Sequence, residues 1–119
     1  MRERRFIDVF SDIKEASIRI KEYIKSLSFE EFLKDLKTQD AVVRNFEIIG
    51  EAVKFIPDYF KKKHSQIPWT KIAGIRDRLI HHYFGVNYEI IWTIIKEDLE
   101  DFEKNIDEFF SDELKKSPQ

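Results

Sequence analysis

Cysteine is absent from this 119-residue sequence, and glycine, proline and methionine are scarce, at three, three and one. Without cysteine there is no disulfide framework, no thiolate zinc site and no cysteine nucleophile, and nothing argues for secretion. Long hydrophobic runs are missing too: no stretch approaches the roughly 18 apolar residues of a membrane span. The opening Met1-Arg-Glu-Arg-Arg-Phe6 lacks the apolar run of a signal peptide. A cytoplasmic protein with no membrane partner is the expectation. The three histidines have neither His-x3-His spacing nor cysteine partners, so no metal site and no cofactor are expected.

What is present favours packed helices. Hydrophobic residues make up 42% of the chain, with abundant Phe and Ile and few helix breakers, which points away from a turn-rich sheet protein. The length suits one domain with one core, over residues 1–119. Net charge is only -2, yet it is unevenly spread. From Lys54 to Tyr83 there are seven Lys or Arg against Asp58 and Asp77, a local +5; from Glu89 to Glu113 ten acids face Lys96 and Lys104, a local -8. Such asymmetry is compatible with a basic surface in the first segment, although charge runs are usually just solvated helix faces.

Hydrophobic spacing predicts five helices. Phe6, Phe10, Ile13, Ile20, Ile24 and Leu27 trace one face of a helix from about Arg4 to Lys25. Ser28 followed by Glu31 is a capping-box pattern opening a short helix over about Phe29 to Leu36. A third helix, about Asp40 to Ile56, has an unusually wide apolar surface that embeds Arg44, Asn45, Glu47 and Glu51, so it should be central or packed on a second subunit. After the polar break Lys61–Gln66, Pro68 suits the first turn of a fourth helix, which Gly85 can end. Asn87 can cap the last, whose stripe of Ile91, Ile95, Leu99, Phe102, Ile106 and Phe109 reaches about Lys115, with fraying from about residue 114.

The fourth helix carries Arg76-Asp-Arg-Leu-Ile-His81-His-Tyr83-Phe-Gly85, which concentrates a guanidinium, two imidazoles and a phenol. Arginine offers a permanent forked charge suited to phosphate, and histidine can exchange a proton near neutral pH. Together they suggest chemistry on a phosphodiester. On an ideal helix Arg76 and His81 point about 140° apart, whereas Arg76 and Tyr83 share a face and His82 shares one with Arg78. Plainer readings stand beside this one: a histidine complementing a helix dipole, Arg76 pairing with Glu47 or Glu51, Tyr83 as a half-buried aromatic.

The motif resembles the Arg-x4-His-x-Tyr signature of the HepT-like toxins, a branch of the HEPN superfamily. Further blocks resemble that family in order: Asp40-Ala-Val-Val-Arg-Asn-Phe-Glu-Ile-Ile-Gly-Glu-Ala52, the Ile-Pro68-Trp69 entry, and Phe-Gly85-Val-Asn-Tyr-Glu-Ile-Ile-Trp92. Asp77 stands where Asn is common, and His82 where a small or polar residue often stands. The resemblance implies an all-α antiparallel HEPN-type bundle of about four to six helices, homodimeric, with both motifs in one cleft. It implies metal-independent cleavage of RNA, transfer RNA being one candidate class, with Arg76 and His81 as catalytic residues. It implies a type VII toxin–antitoxin partnership with an MntA-like nucleotidyltransferase that places AMP on Tyr83. Asp77, Arg78, His82, Arg44 and Glu51 are candidate supporting groups. The alternative is a non-catalytic nucleotide- or partner-binding subunit of a nucleotidyltransferase complex, and a third reading is an inert helical scaffold.

Overall fold

The computed structural model describes the backbone of residues 6–81 and 87–116, and the side chains of residues 8–75, 87–108 and 111. Among these are seven helices: α1 (Phe6–Ile24), α2 (Phe29–Lys34), α3 (Leu36–Val53), α4 (Asp58–Lys63), α5 (Trp69–His81), α6 (Tyr88–Glu97) and α7 (Leu99–Lys116). The all-α bundle agrees with the expectation from sequence, with two helices more than the spacing predicts.

Local chemistry explains most boundaries. At the start of α2 the Ser28 hydroxyl accepts a hydrogen bond from the Glu31 amide at 3.1 Å, and the Glu31 carboxylate accepts one from the Ser28 amide at 2.8 Å. This is the capping box the sequence foretells, satisfying two orphan donors. Ser28→Ala is expected to cost about 1 kcal/mol, read as a lower denaturation midpoint; an unchanged midpoint would mean that Phe32 packing alone holds α2.

The third helix begins four residues before the predicted Asp40. Asp35 caps it, its carboxylate accepting from the Thr38 amide at 3.0 Å and the Thr38 hydroxyl at 2.7 Å. These bonds, the amide first, hold the Asp35 carboxyl below its ordinary range. The cap therefore acts above the unfolded carboxylate pKa and is lost as pH falls through the depressed value. Buried Gln39 completes the junction, its side-chain amide donating to the carbonyls of Phe32 at 3.0 Å and Leu33 at 2.9 Å.

The two unforeseen helices have identifiable causes. Helix α4 lies partly within the predicted polar break: Pro57 opens it, and buried Phe60 anchors it against Phe10, with ring centroids 5.2 Å apart, and Trp69 at 6.5 Å. Lys61, Lys62 and Lys63 form its last turn, where cations complement the helix dipole. The predicted final helix splits at Asp98, whose carboxylate accepts a 2.8 Å bond from Lys71 of α5.

Helix α3 occupies the centre, packing most heavily on α1 and α5 and also on α2. Its core face is Val42, Phe46, Ile49 and Val53, all buried. Phe10, Ile13 and Ile20 of α1, Ile72 and Ile75 of α5, and Ile91, Leu99, Phe102 and Ile106 of α6 and α7 belong to the same core. Ion pairs Lys14–Asp107 and Lys21–Glu103 run in opposite chain senses, as antiparallel α1 and α7 require. No described helix is long and apolar enough to cross a membrane.

Candidate functional site

Helix α5 positions the Arg-x4-His motif. Its first turn is fixed by Trp69, which is buried and donates its indole N–H to the carbonyls of Lys61 at 3.2 Å and His64 at 3.1 Å. Ile72 and Ile75 then pin its inner face beside Phe46 and Ile49. From there the helix runs without a break through Arg76, Asp77 and Arg78 to His81. A regular helix over this span holds the Cα atoms of Arg76 and His81 about 7.5 Å apart along the axis and about 140° apart around it. Within one helix they start from different faces, as the spacing predicts.

The side chains of Arg76, Asp77, Arg78 and His81 lie outside the described residues, as do His82, Tyr83 and the predicted stop at Gly85. Beyond that segment, Asn87 caps α6, its side-chain oxygen accepting from the Ile90 amide at 3.1 Å as expected. Tyr88 packs edge-on against Phe32 at 5.8 Å, and burial, helped by the charge of Asp40, raises its phenol pKa. The return from the motif is therefore anchored to the α2–α3 junction. Trp92 extends that anchor, lying 5.2 Å from Phe32 and 5.7 Å from Phe29, with the Lys96 ammonium 5.0 Å over its ring.

The candidate supporting residues on α3 line a groove with α1. Arg44, Glu47, Ile48, Glu51 and Phe55 share a stripe that, with Val9 and Asp12 of α1, lines a groove of about 270 Å³. At 100° per residue, Arg44 and Glu51 lie about 140–160° around α3 from Phe46 and Ile49, which face the α5 side. Within one chain, Arg44 and Glu51 thus belong to the outer face of α3 rather than to the interface with α5. Asn45, embedded beside them in sequence, is instead buried and donates to the Ala41 carbonyl at 2.8 Å. Asp12 escapes the sequence reading because its place in the groove depends on how α1 crosses α3.

His64, the remaining histidine, is buried, with its ring centroid 4.4 Å from that of Phe60. It belongs to the aromatic packing around α4. Among the described residues no cluster of three or more His, Asp or Glu side chains could hold a metal ion.

Comparison with known proteins gives the family. The model of the family described as "Ribonuclease HepT-like" matches residues 13–109. A protein of Methanocaldococcus jannaschii named "Putative RNase MJ0127" is 50% identical over 101 residues, covering 85% of this chain and 84% of its own length. The Thermococcus cleftensis protein "Probable ribonuclease HepT" is 51% identical over 92 residues, covering 77% of this chain and 84% of its own. No solved structure matches the chain. The chain belongs to the HepT-like ribonuclease family.

Proposed function

We propose that this protein is the metal-independent endoribonuclease toxin of a HepT/MntA-type system, working as a homodimer whose cleft unites the motifs of both copies. The observation that carries this reading is membership of a ribonuclease family together with an unbroken α5 bearing Arg76 and His81. Cleavage without a metal needs three things: removal of the 2′-hydroxyl proton, stabilisation of the phosphorane charge and protonation of the departing 5′-oxygen. One His81 imidazole takes the 2′ proton as that oxygen attacks phosphorus, and the partner copy's imidazolium gives a proton to the 5′-oxygen as its bond to phosphorus breaks. The products are a 2′,3′-cyclic phosphate and a free 5′-hydroxyl. Arg76 supplies fixed positive charge where negative charge develops. Pairing two copies removes the obstacle of the 140° offset, because one helix need not aim both groups at one phosphate.

Regulation falls to Tyr83, two positions beyond His81. An MntA-like nucleotidyltransferase transfers AMP from ATP to its phenolic oxygen with release of pyrophosphate, adding bulk and negative charge where an RNA phosphate would bind. Asp77, Arg78 and His82 support the motif, and Arg44 and Glu51 can reach it only from the outer face of α3 across a dimer.

The test has two arms. Purified, unmodified protein should degrade RNA in the presence of a chelator. Coexpression with its nucleotidyltransferase should add AMP, seen by intact mass, and Tyr83→Phe should prevent the addition. Unmodified dimer that leaves RNA intact would instead assign the chain to the non-catalytic partner-binding role.

A further inference from the structure

Helix α5 carries a glycine, Gly74, well inside its thirteen residues Trp69–His81. Apart from proline, no residue forms helix less readily. The fold itself does not require a glycine there. No described glycine has a positive φ, and a Cβ built on Gly74 meets no described atom within 4 Å. Alanine would therefore fit and would strengthen the helix. What glycine offers instead is bare backbone beside open space, the condition for close approach by something outside the chain. Its place on the helix narrows what that is. At 100° per residue, positions 70, 74 and 81 fall within about 40° of one another, roughly opposite the buried Ile72. At the N-terminal end of this stripe, exposed Thr70 lines a groove of about 510 Å³ together with Lys61, Lys62, Ser65 and Asp58. Lys71 also lines it but is taken up by Asp98 at 2.8 Å, whereas Lys61 and Lys62 make no ion pair with a described residue. At the other end of the stripe is His81.

We propose that Gly74 is a positioning residue for the RNA substrate: it leaves clearance for the sugar–phosphate backbone to lie against α5 between phosphates held by Lys61 and Lys62 and the link presented to His81. Helix geometry puts Gly74 about 6 Å beyond Thr70 and about 10 Å before His81, on one face. A side chain at 74 would stand between the two ends and lift the strand off the helix. Contacts of this kind fix the register of a nucleic acid without reading its sequence, since lysines meet phosphates and bare backbone meets the sugar–phosphate chain. The centre of a protein-binding patch, by contrast, is depleted in lysine, which makes a second copy the poorer occupant. The inference rests on the ribonuclease reading for its substrate but not for its measurement.

Two measurements on the full-length protein must move in opposite directions. Gly74→Ala should raise the thermal midpoint by a few degrees, as a better helix former does at a site with room for it. The same change should weaken RNA binding several-fold, and Gly74→Leu should weaken it more than tenfold, because the loss tracks side-chain size. Binding is read by fluorescence anisotropy of a labelled single-stranded RNA against these variants made in the His81→Ala protein, which keeps the strand intact. Lys61→Gln and Lys62→Gln should each lower the slope of log affinity against log salt by about 0.7. In the His81-containing protein the Gly74→Ala defect should raise KM for RNA more than it lowers kcat. If Gly74→Leu does not fold, the alanine variant alone decides. A Gly74→Ala protein that binds RNA as tightly as its parent would overturn the proposal. So would a change of oligomeric mass in either variant, which would make the open space a contact between copies. If the His81-containing parent cuts no RNA at all, the ribonuclease reading fails while the binding series still decides the role of Gly74.

Discussion

His81→Ala should lose RNA cleavage by 10²–10⁴-fold, a magnitude on the order of what general acid–base catalysis contributes, with the helical circular dichroism retained. Arg76→Lys is not a mild change in this setting, since an ammonium cannot reproduce the planar fork that grips two phosphate oxygens. The decisive form of the experiment mixes chains. Mixed dimers of parent and His81→Ala chains, purified away from both homodimers, should cleave RNA little better than the His81→Ala homodimer, because one cleft then holds a single imidazole and lacks either the base or the acid. Retention of about half the parental rate would mean that each protomer carries a self-contained site, and the cross-protomer cleft would have to be abandoned.

Phe46→Ala is the second large effect. Phe46 is 2% exposed at the middle of α3 and faces Ile49, Ile72, Ile75, Ile94, Leu99 and Phe102 around a residual apolar space of only about 30 Å³. Removing the ring from so filled a site should cost about 3–5 kcal/mol, because helices held at several points cannot collapse onto the vacancy. Domains of this kind have on the order of 5–15 kcal/mol in total. Thermal unfolding should accordingly fall by roughly 10–20 °C, and RNA cleavage should fail at temperatures where the parent is active. Phe46→Leu, which keeps most of the volume, should lose far less. A shift for the alanine variant within a couple of degrees would show that α3 and α5 can close on each other, and would weaken the account of how α5 is positioned.

How much of this was readable beforehand depended on whether the signal was local. The Ser28–Glu31 capping box and the Asn87 cap appear as the residue types alone suggest, since each bond spans three residues. The start of α3 was harder, because Asp35 serves as both the C-cap of α2 and the N-cap of α3, and Gln39 reaches back to the α2 carbonyls. Helix α4 was hidden by its own lysines: six residues are too short for a periodic pattern, and only Phe60, buried against Phe10 and Trp69, reveals that the segment is held. At the break itself, Asp98 pairs with Lys71, twenty-seven residues earlier, a contact that spacing cannot reveal.

The candidate site divides along the same line. That Arg76 and His81 ride one helix, and that their faces diverge, follows from spacing and the 3.6-residue turn. Arg44 and Glu51 are legible in the sequence only as candidate supporting groups; that their stripe turns outward within one chain is settled by the positions of α1, α2 and α5.

By itself, the sequence determined an all-α chain, its main caps and a helix bearing the arginine–histidine motif, because propensity, capping and periodicity act over one or two turns. Only the tertiary structure decided the outer groove of α3 and the lysine-lined groove between α4 and α5. Those surfaces are what remains uncovered after helices distant in sequence have packed, and packing is a property of the whole bundle.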